Sequence, residues 1–450
     1  MSEKSVSSNN RTRRTVVILD KTMLWKGGIV PYEFAYHISG KQRRIIRKAM
    51  RKWEKSTCVQ FVPINRQVHQ KYLLFTKSKA CKCCFIDHAP KILYQTINLV
   101  DRCYYKRILL HELGHALGFR HEHNHPERDQ YVKVNFSIIE DDDVIQYQKY
   151  SPNQVDTLLV PYDLDSIMHY SQFISFDNLS INVTIPIPAN HEELVSSNGL
   201  IKINEKLSNG DIAAANLMYH CPRCGKNFFK PTGKFEQFSN DSNSDSERCE
   251  WRIRASEGEK IILKINFLSI RPSYLCLLNY LEVRNGLSPD SPVIARYCGI
   301  ITDAKVTADN FLVITYVKMS IFGPNFFTAE YETICEQTVY LYNDTIYNLE
   351  SPNYPNSYML NKKCQWNFTA SENHQITIKF NFFALEKSEN CTKDFVKITE
   401  SDELTVLGVF CGLIDSLFAY STDNKLQVEF SSDKTIEGSA FSASVTTIKK

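Results

Sequence analysis

Residues 111–129 read HELGHALGFRHEHNHPERD, and this stretch restricts the fold more than any other in the chain. His111 and His115 stand four apart, so on a helix they share one face, with Glu112 between them. Gly118 tolerates a positive φ and lets the backbone leave the helix and turn back, which delivers His121 to the same point. Three converging imidazoles with an open fourth position are the arrangement of a catalytic zinc site, and Glu112 is placed to act on water in that position. An isolated HExxH pair is a moderate signal. The longer HExxHxxGxxH is far more specific, and a downstream Met-bearing turn sharpens it. Here SIMHY supplies that turn: Met168 makes an apolar floor to the metal, and Tyr170 places a phenol within reach of the zinc or a developing oxyanion.

The second half of the chain repeats. Cys224, Cys249, Cys276 and Cys298 recur as Cys335, Cys364, Cys391 and Cys411, offset by 111, 115, 115 and 113 residues. CEW is echoed by CQW and YCGI by FCGL, and both copies alternate apolar and polar residues, as in KIILKINFLSI and QITIKFNFFAL. The pattern predicts antiparallel strands in two β-sandwich modules of about 110 residues each. Two local disulfides per module would each close a loop of 20–30 residues, for roughly 3 kcal/mol apiece on the chain-entropy model.

Composition narrows the setting. In 450 residues the net charge is +3, which does not suggest a nucleic-acid binder. No apolar run of membrane-spanning length occurs. The 14 cysteines, spread at regular intervals, read as disulfides of an oxidising compartment. Sequons beginning at Asn135, Asn178, Asn182, Asn240, Asn343, Asn367 and Asn390 agree with secretion. The N-terminus MSEKSVSSNN lacks the apolar core of a signal peptide, so the expectation is a missing start upstream. Residues 1–14 read as a propeptide remnant ending in Arg11-Thr12-Arg13-Arg14, a site for a furin-like processing protease cutting after Arg14.

At the level of families, HELGHALGFRHEH with SIMHY resembles the astacin zinc metalloproteases, and more closely their tolloid and bone morphogenetic protein 1 group. CKCCF resembles that group's cysteine-rich loop. AMRKWEKSTCVQF, LSNGDIAAANLMYHCPRCG and the CUB-type repeats match in the same order. The resemblance implies an α+β zinc metalloprotease domain (metzincin, astacin-like) over 15–221, followed by two all-β CUB sandwich modules, 224–334 and 335–450. It implies disulfides Cys58–Cys221, Cys81–Cys103, a vicinal Cys83–Cys84, Cys224–Cys249, Cys276–Cys298, Cys335–Cys364 and Cys391–Cys411. It further implies that the amine freed after Arg14 becomes buried near Glu122.

The implied activity is that of a secreted zinc endopeptidase acting on extracellular proteins, either matrix precursors or growth-factor antagonists. His111, His115 and His121 hold zinc, Glu112 is the general base, Tyr170 stabilises the oxyanion and Met168 is structural. The competing expectation is a CUB-containing extracellular scaffold with a dead protease domain; the presence of every ligand and of Glu112 argues against it. Tyr105 stands where the group's basic residue aligns, which leaves the group's preference for Asp after the cut open here. Calcium is expected in the second CUB module only. Glu386, Asp394 and Asp433 keep the family's carboxylates, where the first module has Arg271, Asn279 and Lys318, and hard cations need charged oxygen ligands.

Overall fold

The computed structural model describes residues 16–78, 81, 83–87, 93–158, 160, 162–170, 173–176, 179–182, 184–186, 205–239, 247–256, 259–288, 290–319, 325–342, 345–352, 354–355, 357–358, 360, 362–400, 405–433, 435 and 439–450. The expected processing site at Arg14 and the sequons at Asn178, Asn240 and Asn343 lie outside them. Among the described residues, no helix is long and apolar enough to cross a membrane. The chain divides into two compact units between Cys221 and Pro222, with the short stretch Ser39–Lys48 grouped with the second.

The first unit is built on a five-stranded sheet. Its strands are β1 (Ile29–Phe34), β2 (Gln60–Pro63), β3 (Tyr72–Thr76), β4 (Cys83–Ile86) and β5 (Tyr94–Leu99), in the order β2-β1-β3-β5-β4. All neighbours are parallel except the edge strand β4, which runs antiparallel to β5. Helix α1 (Gly40–Ser56) connects β1 to β2 and gives the length that a parallel crossover needs. Its apolar positions Ile46, Ala49, Met50 and Trp53 recur at helical spacing and are buried. Trp53 Nε1 donates to the Leu110 carbonyl of helix α2 (Lys106–Ala116) at 3.2 Å, which satisfies the buried indole. Helix α3 (Asn209–Met218) ends the unit, and Cys58–Cys221 ties the chain just after α3 to the end of α1.

The cysteine-rich loop pairs differently from the expectation. Cys83 is bonded to Cys103 and Cys81 to Cys84, not Cys81 to Cys103 with a vicinal Cys83–Cys84 bridge. The reason lies in the pleat. Cys83 and Cys84 are successive residues of β4, so their side chains leave opposite faces of the sheet. Cys83 faces Leu99 at the end of β5, just before the turn Asp101–Cys103, whereas Cys84 meets the chain before the strand.

The second unit contains two sandwiches of one topology. In the first, β6 (Cys224–Phe228), β8 (Glu247–Arg254), β13 (Phe311–Lys318), β10 (Asn279–Asn285) and β11 (Val293–Tyr297) form one sheet in that order. The other sheet is β7 (Thr232–Ser239), β14 (Asn325–Ile334), β9 (Lys260–Ile270) and β12 (Gly299–Ala308). The second sandwich repeats both orders. Its strands β15 (Glu336–Leu341), β17 (Lys363–Ala370), β22 (Lys425–Ser431), β19 (Phe395–Glu400) and β20 (Val406–Phe410) face β16 (Tyr347–Glu350), β23 (Ala440–Lys449), β18 (His374–Ala384) and β21 (Leu417–Tyr420). Alternate residues of the long strands fill two separate cores, around Trp251 and Trp366.

The sheets are not wholly antiparallel, as the alternation had suggested. β6 runs parallel to β8, and β15 to β17. In that register Cys224 lies directly beside Cys249, with Cα atoms 4.6 Å apart, and the bridge closes between adjacent strands. Cys335–Cys364 repeats this, and Cys276–Cys298 and Cys391–Cys411 form the second bridge of each sandwich.

Candidate metal centre and active site

Helix α2 carries two of the three histidines because its other side is needed for packing. Leu109, Leu110, Leu113 and Ala116 are buried against the unit, which leaves His111 and His115 half-buried on the opposite stripe. The helix stops at Leu117. Gly118 takes a φ of 103°, and a Cβ there would crowd Ile18 and Leu24 at about 3.1–3.2 Å. The reversed chain is then held by the bond from Phe119 N to Gly114 O at 3.0 Å.

The turn brings His121 back to the helix. The three Nε2 atoms lie 3.1 Å (His111–His115), 3.0 Å (His115–His121) and 3.3 Å (His111–His121) from one another. A tetrahedral ion bound at about 2.0–2.1 Å holds its nitrogens about 3.3 Å apart, so the cluster fits a zinc ion. The far nitrogens agree with that orientation. His111 Nδ1 lies 2.8 Å from the Ile167 carbonyl and His115 Nδ1 2.9 Å from the Phe119 carbonyl. A ring that donates from Nδ1 presents a bare lone pair at Nε2. Burial, which disfavours the charged ring, pushes His111 down to about 3 and His115 to about 4, and holds His121 well below its ordinary value. All three rings are therefore neutral, as metal ligation requires.

Glu112 is buried, and burial lifts its carboxyl to about 7. The backbone N–H of Phe85, on edge strand β4, donates to it and opposes that shift. Tyr170 packs its ring 4.3 Å from that of His121 and 6.3 Å from that of His111. Burial raises its phenol to about 12, so it remains a proton donor at neutral pH. Met168 is fully buried beneath α2, where the absence of a side chain at Gly114 admits it: a Cβ on Gly114 would stand 2.5 Å from Met168 Sδ.

Two residues at the site were not singled out from sequence. Asp211, on α3, takes Ser166 Oγ at 2.7 Å and the Ile167 backbone N–H at 2.9 Å, so it holds the turn that carries Met168. It is also the third residue of a capping box with Ser208. The S-x-x-D spacing ahead of an apolar helix was the available signal. His123 is fully buried with its ring 4.1 Å from that of Tyr170 and its Nε2 3.0 Å from the Gln146 carbonyl. Glu122 is fully buried. It accepts the Asp163 N–H at 2.8 Å, and its Oε2 has no hydrogen-bond partner among the described residues.

In the second sandwich Glu386, Asp394 and Asp433 come together, each with a carboxylate oxygen within 4.8 Å of the others. Glu386 Oε2 is buried and unpartnered among the described residues, Lys393 pairs with Oε1, and Tyr358 donates to Asp394. An orphaned carboxylate oxygen in an acidic cluster fits a hard cation. The first sandwich has no such set among the described residues, but its third position differs from the expectation. Met319 N donates to Asn279 Oδ1 at 3.0 Å as Asp433 N donates to Asp394 Oδ1 at 2.7 Å, so Met319, not Lys318, stands in the place of Asp433. Lys318 instead ends β13, directly opposite Asn279. Cys224, Glu247 and Cys249 also cluster, but both sulfurs are spent in one disulfide.

The Astacin peptidase family model matches residues 17–220, and the CUB domain model matches 224–331 and 335–445. This chain is an astacin-type peptidase domain followed by two CUB domains. Dorsal-ventral patterning protein tolloid of Drosophila melanogaster is 33% identical over 96% of this chain and 43% of its own length. Bone morphogenetic protein 1 of Xenopus laevis is 34% identical over 93% of this chain and 58% of its own. The chain thus spans between about two-fifths and three-fifths of these relatives. Among solved structures, high choriolytic enzyme 1, a hatching-enzyme zinc protease of Oryzias latipes, is 27% identical over 46% of this chain and 99% of its own, with a TM-score of 0.39.

Proposed function

We propose that the chain is a secreted zinc endopeptidase that cleaves extracellular proteins. The observation that carries this reading is the convergence of three neutral Nε2 atoms beside a buried Glu112 carboxylate. When bound, zinc would supply a Lewis acid that acidifies water and polarises a carbonyl. His111, His115 and His121 would hold it. Glu112 takes a proton from the attacking water and passes it to the leaving amine. Phe85, through its backbone N–H, fixes where that carboxylate points. Tyr170 donates its phenolic proton to the developing oxyanion, and the low polarity around it strengthens that bond. Met168 closes the apolar floor. Seven disulfides and no free cysteine among the described residues support an oxidising, extracellular setting.

Two further parts belong to this reading. A furin-like protease would cut after Arg14, and the freed amine would pack near Glu122, whose unpartnered buried oxygen needs a donor. Glu386, Asp394 and Asp433 would hold calcium in the second CUB domain, displacing Lys393 from Glu386. The CUB domains do no chemistry; they bind and position substrate, by analogy with tolloid and bone morphogenetic protein 1, so matrix precursors and growth-factor antagonists are the substrates to test.

The test is Glu112→Gln in the processed protein, assayed on a quenched peptide, with metal content measured alongside. Loss of cleavage with one zinc retained is expected. Cleavage by the variant, or by a fully chelated parent, overturns the mechanism.

A further inference from the structure

Beside the metal centre lies a cavity of about 250 Å³ that the chemistry above does not use. It opens next to His115 and is bounded by the edge strand at Phe85 and by the chain around Ile18, Met23 and Phe119. These apolar walls suit an aliphatic stem.

The polar groups on the wall are of mostly one sign. Asp20 and Asp87 face it, with Arg120 as the single cation on the lining besides the neutral ring of His115. Asp20 is kept ionised by the Thr22 hydroxyl and backbone N–H, both bonded to Oδ1 at 2.7 and 2.9 Å. Gln95 adds an acceptor. It is 5% exposed, its Nε2 donates to Asp87 Oδ1 at 3.0 Å, and its Oε1 has no hydrogen-bond partner among the described residues. Because Nε2 is committed to a carboxylate, the amide cannot turn round, and Oε1 is fixed as an acceptor. A buried acceptor with nothing to accept is unfavourable and is relieved by a donor.

We propose that this cavity is a specificity subsite that takes a lysine or arginine side chain of the peptide substrate close to the scissile bond. The apolar walls receive the methylene stem. Asp87, Asp20 and Gln95 Oε1 receive the charged head, as long cationic side chains bury their stems and keep their heads among polar partners. The subsite rests on the endopeptidase reading of the neighbouring centre.

The test uses the processed full chain and a set of quenched peptides in which each position flanking the cut carries lysine, arginine, norleucine or glutamate in turn. At one position lysine or arginine should raise kcat/KM over norleucine about fivefold or more, and glutamate should lower it. In Asp87→Asn that ratio should fall towards one, and in Asp87→Lys the order of lysine and glutamate should reverse. Cleavage of all peptides with no cationic preference at any position, or a preference untouched by both Asp87 variants, overturns the subsite and leaves the endopeptidase reading standing. Cleavage of none of the peptides overturns both.

Discussion

Asp211 accepts the backbone N–H of Ile167 at 2.9 Å and thereby joins the last helix of the peptidase domain to the turn beneath the histidines. Ile167 in turn offers its carbonyl to His111 Nδ1 at 2.8 Å. A carboxylate that touches neither the three histidines nor Glu112 thus orients His111 through one residue's two backbone groups.

Asp211→Ala should therefore act on both stability and metal retention. It strips partners from the buried Ser166 hydroxyl and Ile167 N–H and removes the α3 capping box, with an expected loss of about 2–4 kcal/mol. Urea denaturation of the peptidase domain within the full chain, followed by zinc content after dialysis, measures both. Full zinc occupancy at unchanged stability would contradict the arrangement described.

Gly114→Ala places a methyl where Met168 Sδ already stands, 2.5 Å away. The helix has no room to move, because its far side is packed through Leu109 and Ala116. Overpacking of this kind costs about 1–3 kcal/mol. The double variant Gly114→Ala/Met168→Ala should recover most of it, which a double-mutant cycle of unfolding midpoints reads directly.

Tyr170→Phe keeps the ring against His121 and His123 and removes only the phenolic donor. With the proposed role, kcat should fall by about 10²–10³ while KM for a short peptide changes little, since the missing bond forms only as charge develops. A larger effect on KM than on kcat would place Tyr170 in substrate binding instead.

Glu259 gives a pH dependence in the first CUB domain. Its carboxylate is buried, bonded to Ser256 N at 2.8 Å and Thr333 Oγ1 at 2.9 Å, and burial raises its pKa despite these bonds and the nearby Lys362. A carboxyl raised in the folded state binds its proton more tightly there than in the unfolded chain. Its cost is absent below the ordinary carboxylate range, and stability falls as pH rises through the folded-state value. Hydrogen-exchange protection of strand β9 should decline as pH rises above the ordinary carboxylate range in the parent and decline less in Glu259→Gln. Equal slopes would remove Glu259 as the cause.

The convergence of His111, His115 and His121 was legible in the sequence because their spacing is itself the geometry: four residues along a helix, then a glycine, then the third histidine. Met168 was legible for the same reason. The two CUB domains could be read from cysteine offsets and strand alternation, but alternation is the same in parallel and antiparallel pairs, so the parallel placement of β6 and β15 was hidden. Alternation also decided the CKCC loop, where it separates Cys83 from Cys84; the expectation followed the family's pairing instead. Lys318 was assigned by a uniform offset of 115, which a one-residue difference in loop length between the repeats defeats. Asp211 and His123 act across 45 and 47 residues of chain on Ser166 and Tyr170 respectively, and no local pattern records such distances.

The bridge between Cys58 and Cys221 also sets how the domain answers to force. Tension on the CUB domains is transmitted at Pro222, one bond beyond Cys221. Tension directed towards the amino-terminal side of the domain crosses the sulfurs to Cys58 and bypasses the closed loop between them. Every histidine of the metal centre, Glu112, Met168 and Asp211 lie inside that loop. Tension entering beyond Cys221 would thus leave the geometry of the histidine cluster unloaded.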